Sequence, residues 1–461
     1  MQSFKEAAAD AKLPQRDLPT VSTVLRDGTV VEMVYRPNER ETAFAVWQNG
    51  TWRMEQHIAL DPLHRLVPYS PHNNLVKNEV ILFPSEPEEY GADAELVAAL
   101  QRFIHRYVDL TPRFEKLASY YILFSWVHDG FNELPYLRVR GDPGSGKTRF
   151  LLTVGSLCYK PIFASGASTV SPLFRILDAF HGTLLIDEGD FRFSDETTEI
   201  AKILNNGNVR GFPVLRSEVN TRGEYNPRAY HVFGPKLVAT RGFFTDRALE
   251  SRFFTEEMGQ LKLRYEVPIN LPASHKEEAL HLRNQLLLFR FRNLHRQVVA
   301  DHLVDRTIEP RLNQIFVPLL SIIEDEKVRE EFREVARQYH HDMVSDRGLD
   351  AEAQVLETIQ SLLAAPETTT LTVGEITTRF AEIYGDEYER KITTKYVGFL
   401  LRKRLNLKTE RTKDGYIIAG KELEKLPRLY ERYGLPRAPV PQPLPQDPPV
   451  NIEQGQNEVH P

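Results

Sequence analysis

Eight consecutive residues constrain this chain more than anything else in it. Gly141-Asp142-Pro143-Gly144-Ser145-Gly146-Lys147-Thr148 fits G-x-x-x-x-G-K-[ST] at every fixed position. The pattern is informative only between a strand and a helix, and the flanks supply both. The apolar run Pro135-Tyr136-Leu137-Arg138-Val139 leads in, and Phe150-Leu151-Leu152-Thr153-Val154 continues with helical character. Glycines let successive backbone N–H groups turn inward around phosphate oxygens. Gly141, Pro143, Gly144, Ser145, Gly146, Lys147, Thr148 and Arg149 are therefore the expected nucleotide-binding residues. Lys147 is expected at the β- and γ-phosphates and the Thr148 hydroxyl on Mg²⁺, so the expected cofactors are ATP and Mg²⁺.

The second half of such a site lies downstream. Gly182-Thr183-Leu184-Leu185-Ile186-Asp187-Glu188 is an apolar strand ending in two carboxylates. The 40 positions from Lys147 to Asp187 leave room for the crossovers of a parallel sheet, which would bring both strand ends to one edge. Asp187 is suited to share the Mg²⁺ shell with Thr148. Glu188 is placed to polarise the attacking water.

A length of 461 residues predicts several domains, and 41% hydrophobic against 26% charged residues is enough for sizeable cores. The one cysteine, Cys158, excludes an intrachain disulfide, and no Cys/His group has zinc-ligand spacing. Met1-Gln2-Ser3-Phe4-Lys5-Glu6 opens no signal-peptide pattern, and no run of about 18 apolar residues occurs. No membrane partner and a cytoplasmic location are expected.

Five segments are expected along the chain. Residues 1–90 read as a small β-rich module, with strands at Val30–Tyr35 and Thr42–Trp47 and an Asn49-Gly50 turn between Trp47 and Trp52. Residues 91–260 hold the nucleotide core, preceded by helices whose apolar faces carry Leu96, Leu100, Phe103 and Ile104, then Phe114, Leu117, Tyr121 and Phe124. Residues 261–348 are mainly helical with charged faces, residues 349–435 form a further domain, and the Pro-rich end 436–461 reads as a disordered tail.

Two later segments make the P-loop reading specific. The strand Pro235-Lys236-Leu237-Val238-Ala239 ends at Thr240, and Ala248-Leu249-Glu250-Ser251-Arg252-Phe253 follows. The order of parts resembles the AAA+ ATPases, and Ser251-Arg252-Phe253 resembles the arginine-finger segment of minichromosome-maintenance helicases. The resemblance extends over roughly residues 94–435 and is strongest to superfamily 3 and related helicase modules of phages, plasmids and mobile elements. It implies an α/β fold: a P-loop AAA+ core (parallel sheet with flanking helices) plus a helical lid, an N-terminal small β module and a C-terminal winged helix. It further implies Thr240 as γ-phosphate sensor and Arg252, or else Arg247, as a finger on the neighbouring subunit's nucleotide. Arg311, after Glu309-Pro310 at a helix start, resembles a sensor-2 arginine. Self-assembly into a hexameric ring is implied too.

Such helicases project a β-hairpin into the ring's pore before sensor 1. Here Ile203 to Arg216, with Ala229-Tyr230-His231-Val232-Phe233 returning, reads as that insertion, and Arg216, Arg222 and Arg228 are its candidate phosphate contacts. Three departures stand out. The sensor is Thr240 instead of the commoner Asn, Lys160 to Thr183 is too short for a helix-2 insertion, and residues 1–90 carry no primase motif.

The chain carries a net charge of −6, yet Arg390 to Lys413 holds nine cations against one carboxylate, Glu410. A helix from Thr393 to Arg404 followed by a hairpin turning at Asp414-Gly415 completes the pattern of a winged helix. Lys395, Arg402, Lys403, Arg404, Arg411 and Lys413 are its candidate DNA contacts. Winged helices also dock proteins. The expected activity is a ring-forming ATPase that translocates along or unwinds DNA, with a DNA-bound or protein-remodelling AAA+ regulator as the alternative.

Overall fold

The computed structural model describes residues 15–165, 170–187, 195–219, 225–244, 246–260, 262–297, 300–348, 350–364, 371–388, 391–413 and 415–436. The chain divides into two compact units, Met1–Arg337 and Gln338–Pro461.

The first unit begins with seven strands: β1 (Arg16–Thr20), β2 (Ser22–Val24), β3 (Val30–Arg36), β4 (Glu41–Gln48), β5 (Thr51–Glu55), β6 (Ile58–Ala59) and β7 (His64–Pro68). Strands β2-β3-β4-β5 form an antiparallel meander, and β7 lies between β1 and β6. The β4–β5 turn follows from its residues: Asn49 and Gly50 both take positive φ (52° and 80°), as a tight hairpin turn needs, and Trp47 pairs with Trp52. Strands β3 and β4 are buried along most of their length, so both of their faces are covered. Trp47 stacks on Phe291, with ring centroids 5.7 Å apart.

The remaining strands of this unit are β8 (Tyr136–Arg140), β9 (Ile162–Ser165), β10 (Leu184–Asp187), β11 (Val214–Val219), β12 (Tyr225–Tyr230), β13 (Lys236–Thr240) and β14 (Phe253–Glu257). Five of them build a wholly parallel sheet in the order β14-β8-β13-β10-β9. Strand β13 is wedged between the strand that enters the glycine loop and the strand that ends in Asp187. The C-terminal ends of β8, β13 and β10 therefore share one edge, where an α/β sheet binds its ligands. Near-complete burial of Tyr136, Leu137, Val139, Leu184, Leu185, Leu237 and Val238 makes this sheet the core, each such side chain contributing about 1.5–3 kcal/mol. The helix Pro112–Val127 packs against it; Thr111 caps the helix and Pro112 occupies its first turn, where a missing N–H costs nothing. Along β9, Phe163 N donates to Val80 O and Leu82 N to Pro161 O, so the segment at Ile81 covers the sheet's edge.

The N-terminal strands are joined to this core by a buried ionic group. Glu32 on β3 is 2% exposed and accepts from Arg290 Nε (2.7 Å) and Tyr159 Oη (2.8 Å), with Lys160 Nζ at 3.2 Å. Arg290 also grips Asp129 with both terminal nitrogens (2.8 and 2.6 Å). Burial by itself would raise the Asp129 pKa, but the Arg290 charge and its hydrogen bonds, with His128 nearby, together hold the carboxyl well below its usual range.

In the second unit, helices Ala351–Leu363, Val373–Tyr384 and Thr394–Phe399 surround an apolar core that includes Leu356, Ile359, Ile376, Phe380, Leu401 and Leu407. Ahead of the second of these helices, Thr372 forms one bridge to Ile417. Thr372 is a helix cap whose hydroxyl accepts from Glu375 N at 3.0 Å while Glu375 reaches back, a capping box that starts the helix at Val373. The expected helix to Arg404 is α-helical only to Phe399 and continues as a wider π turn over Leu400–Arg404. Strands β15 (Thr409–Thr412) and β16 (Gly415–Ile418) form an antiparallel hairpin. No helix among the described residues is long and apolar enough to cross a membrane.

Candidate nucleotide and nucleic-acid sites

The glycine loop leaves β8 at Gly141. A Cβ there would lie 2.5 Å from Met258 O and 2.8 Å from Ser145 Oγ, so only glycine fits. Gly146, with φ 97°, takes the left-handed conformation that admits the chain to the helix Lys147–Thr153. Lys147 is 9% exposed, and its ammonium folds back on the loop, donating to Gly141 O (2.7 Å) and Asp142 O (2.8 Å). Ser145 Oγ is buried in the loop without a hydrogen-bond partner. Held on carbonyls that a phosphate can replace, the Lys147 charge fits a polyphosphate.

The Thr148 hydroxyl donates to Asp187 Oδ2 at 2.7 Å, bringing together the two residues expected at Mg²⁺. Among the described residues no group of three or more His, Cys, Asp or Glu side chains could hold a metal ion. One hydroxyl and one carboxylate nonetheless suit Mg²⁺, which keeps several waters and draws other ligands from the nucleotide. Glu188 lies outside the described residues.

Thr240 closes the same edge. Its carbonyl accepts from Gly141 N at 3.2 Å, and its buried hydroxyl donates to Gly242 O at 3.0 Å. Arg149 is committed elsewhere: its guanidinium donates to Pro268 O at 2.8 Å and reaches Tyr107 O and Ile269 O, tying the glycine-loop helix to neighbouring segments.

The candidate arginines Arg252 and Arg311 stand at the opposite edge. Phe253 pairs with Tyr136 and Glu257 with Arg140, so Arg252 precedes β14 beside the start of β8. Tyr136 N donates to Arg252 O at 2.9 Å. Five residues of strand separate this point from Gly141, about 16 Å. Arg252 Nη1 donates to Asn205 Oδ1, while its Nε is buried without a partner. Burial and the nearby Arg311 charge lower the Arg252 pKa from its ordinary value. Arg311, one residue past Pro310 at a helix start, donates to Ser251 Oγ at 3.2 Å and so joins Arg252, not Lys147. Arg247 is exposed on the short helix Arg247–Glu250.

An antiparallel hairpin precedes the Thr240 strand, as its residues suggest. Its return strand is Tyr225–Tyr230, earlier than the expected Ala229–Phe233, and Ile203–Asn206 belongs to the helix Asp195–Asn206. Arg216 and Arg228 sit opposite each other. Arg216 lies over the Phe174 ring at 4.6 Å, and Arg228 approaches Asp178 (3.5 Å) and Glu218 (3.8 Å). Phe212, Leu215 and Tyr225 are exposed along the hairpin at 64%, 67% and 79%. Arg222 lies outside the described residues.

In the second unit Lys395, Arg402, Lys403, Arg404, Arg411 and Lys413 are all exposed. Arg402 donates to Thr409 Oγ1 at 3.2 Å, and Arg404 lies 3.6 Å from Glu352. Thr412 pairs with Gly415, so Gly415 belongs to the return strand; Asp414, the other residue of the expected turn, lies outside the described residues.

Sequence reasoning missed Glu32, Arg290 and Lys236. A carboxylate inside the run Val30-Val31-Glu32-Met33-Val34, and a lysine opening an apolar strand, were the available signals.

No protein-family model and no curated protein match this chain. Solved structures resemble it distantly. The NrS-1 C-terminal region is 11% identical, covers 84% of this chain and 95% of its own, and superposes with a TM-score of 0.35. Cch of SCCmec type IV, described as an active helicase, is 10% identical over 94% of this chain and 84% of that one, with a TM-score of 0.41. JCV helicase with a bound inhibitor is 16% identical over 54% and 61%, with a TM-score of 0.23.

Proposed function

We propose that the chain is an AAA+ ATPase that assembles into a hexameric ring and couples ATP hydrolysis to translocation on or unwinding of DNA. The observation that carries this reading is the division of functional groups between the sheet's two edges. Lys147, Thr148, Asp187 and Thr240 share one edge, and Arg252 and Arg311 share the other. Arginines about 16 Å from their own glycine loop suit the nucleotide of a neighbouring subunit.

Lys147 would leave its two carbonyls for the β- and γ-phosphates, and Thr148 with Asp187 would hold Mg²⁺. Mg²⁺, when bound, neutralises charge developing on the phosphates. Glu188 would take the proton of the attacking water, and Thr240 would orient it. Arg252 of one subunit would stabilise transition-state charge on the next subunit's nucleotide, with Arg311 beside it. Arg216 and Arg228 on the hairpin, with exposed Tyr225 and Phe212, make a surface suited to single-stranded DNA, by phosphate contact and base stacking, and Arg222, between the two strands in sequence, would add a further phosphate contact. The 349–435 segment would act as a winged helix on duplex DNA, the 1–90 segment as a collar fixed to the core, and the 261–348 segment as the lid.

ATP hydrolysis with and without single-stranded DNA, beside Lys147→Ala, tests this. DNA stimulation supports a motor. Hydrolysis indifferent to DNA favours the protein-remodelling regulator.

A further inference from the structure

Lys236 opens β13 and is fully buried. Its ammonium donates to Val232 O (2.9 Å), Gly234 O (2.8 Å) and Gly207 O (3.5 Å), and no carboxylate pairs with it among the described residues. Burial alone pushes its pKa down to about 7, so keeping a lysine here costs stability. The three carbonyls are not a random set. Gly207 begins the excursion that leads to β11, and Val232 and Gly234 end the one that returns from β12.

The two roots also meet directly, Gly234 N donating to Gly207 O at 3.1 Å. Space for the ammonium is made by Gly207: a Cβ there would come 2.3 Å from Lys236 Nζ and 2.6 Å from Val232 O. The Tyr121 hydroxyl braces the strand start, accepting from Lys236 N and donating to Lys236 O, both at 3.1 Å. Four residues along the same strand stands Thr240, whose carbonyl holds Gly141 of the glycine loop. The first root has a second connection: Asn205, two residues before Gly207, accepts from Arg252.

We propose that Lys236 is a positioning residue that fastens both roots of the β11–β12 hairpin to the Thr240 strand, so that the hairpin follows the nucleotide bound at the glycine loop. The inference rests on the reading of the chain as a nucleotide-driven motor. A rigid five-residue strand has the glycine loop at one end and the hairpin roots at the other, while Asn205 links the first root to Arg252, the arginine assigned to the neighbour.

The test is amide hydrogen exchange of Val214–Val219 and Tyr225–Tyr230 in the full-length protein, with and without a non-hydrolysable ATP analogue. In the wild type the analogue changes exchange in the hairpin. In Lys236→Met the analogue still protects the glycine loop, which shows folding and binding, but its effect on the hairpin falls by about two- to thirtyfold. Gly207→Ala, which keeps the lysine and crowds its ammonium, gives the same loss and serves if Lys236→Met fails to fold. A wild-type hairpin that ignores the analogue overturns the proposal, as does a hairpin that responds fully in both variants. DNA stimulation of wild-type hydrolysis is measured in parallel: its absence beside an intact hairpin response removes the motor reading and leaves the Lys236 linkage standing.

Discussion

The Thr148 hydroxyl donates to the Asp187 carboxylate at 2.7 Å across the ends of two strands that are not neighbours in the sheet. The strand between them ends in Thr240, whose carbonyl receives the first N–H of the glycine loop. The glycine loop, Asp187 and Thr240 are thus brought together by three strand ends on one edge.

Loss of the Lys147 ammonium removes the one buried cation held within the loop among the described residues. Lys147→Ala is expected to abolish hydrolysis and to weaken binding of a fluorescent ATP analogue, with the unfolding transition unchanged. Retained turnover would count against the site.

Arg252 should matter only to a neighbour. Arg252→Ala is expected to reduce turnover about a thousandfold or more while ATP affinity measured by titration stays within a few-fold of the wild type. A loss of affinity that matches the loss of turnover would argue for a role in its own chain.

How much of this was legible in the sequence differs from residue to residue. The glycine loop, the acidic strand end, the Asn49-Gly50 turn and the Pro310 helix start were readable because each depends on local chemistry: a φ, a cap, a missing N–H. The strand order was not, because insertion of β13 between β8 and β10 is decided by packing between distant segments. The same holds for Arg149, adjacent to the phosphate motif yet spent on the carbonyls of Pro268 and Tyr107. Arg311 was readable as a helix-start arginine, but only the fold put it beside Ser251.

The N-terminal strands are expected to be part of the core's cooperative unit. Glu32→Gln leaves the buried Arg290 and Lys160 short of a countercharge, and breaking such a group costs about 3–5 kcal/mol. Denaturant unfolding followed by tryptophan fluorescence should show one earlier transition. A separate early transition confined to the N-terminal strands would show that they fold apart.

Acid should weaken the first unit before its carboxylates titrate. His128 is buried, and desolvation lowers its pKa to about 4 despite the neighbouring Asp129. Its Nδ1 lies 2.7 Å from Ser125 O, so the neutral ring donates there. Below its ordinary pKa the unfolded chain takes up a proton that the folded chain refuses until about pH 4. Stability therefore falls as pH drops from about 6.5 toward 4, by about 1.4 kcal/mol per pH unit for this group. His275, lowered to about 4 as well by burial, acts in the same direction. Urea unfolding at pH 7 and pH 5 should give a smaller difference for His128→Asn than for the wild type; equal differences would contradict this account.

The central claim is that one subunit's arginine edge completes the next subunit's nucleotide edge. Its most direct measurement is hydrolysis by co-assembled Lys147→Ala and Arg252→Ala chains, each inactive alone. The account predicts that mixed assemblies regain activity, because an intact Arg252 from one variant meets an intact Lys147 from the other. Mixed assemblies as inactive as either parent would contradict it.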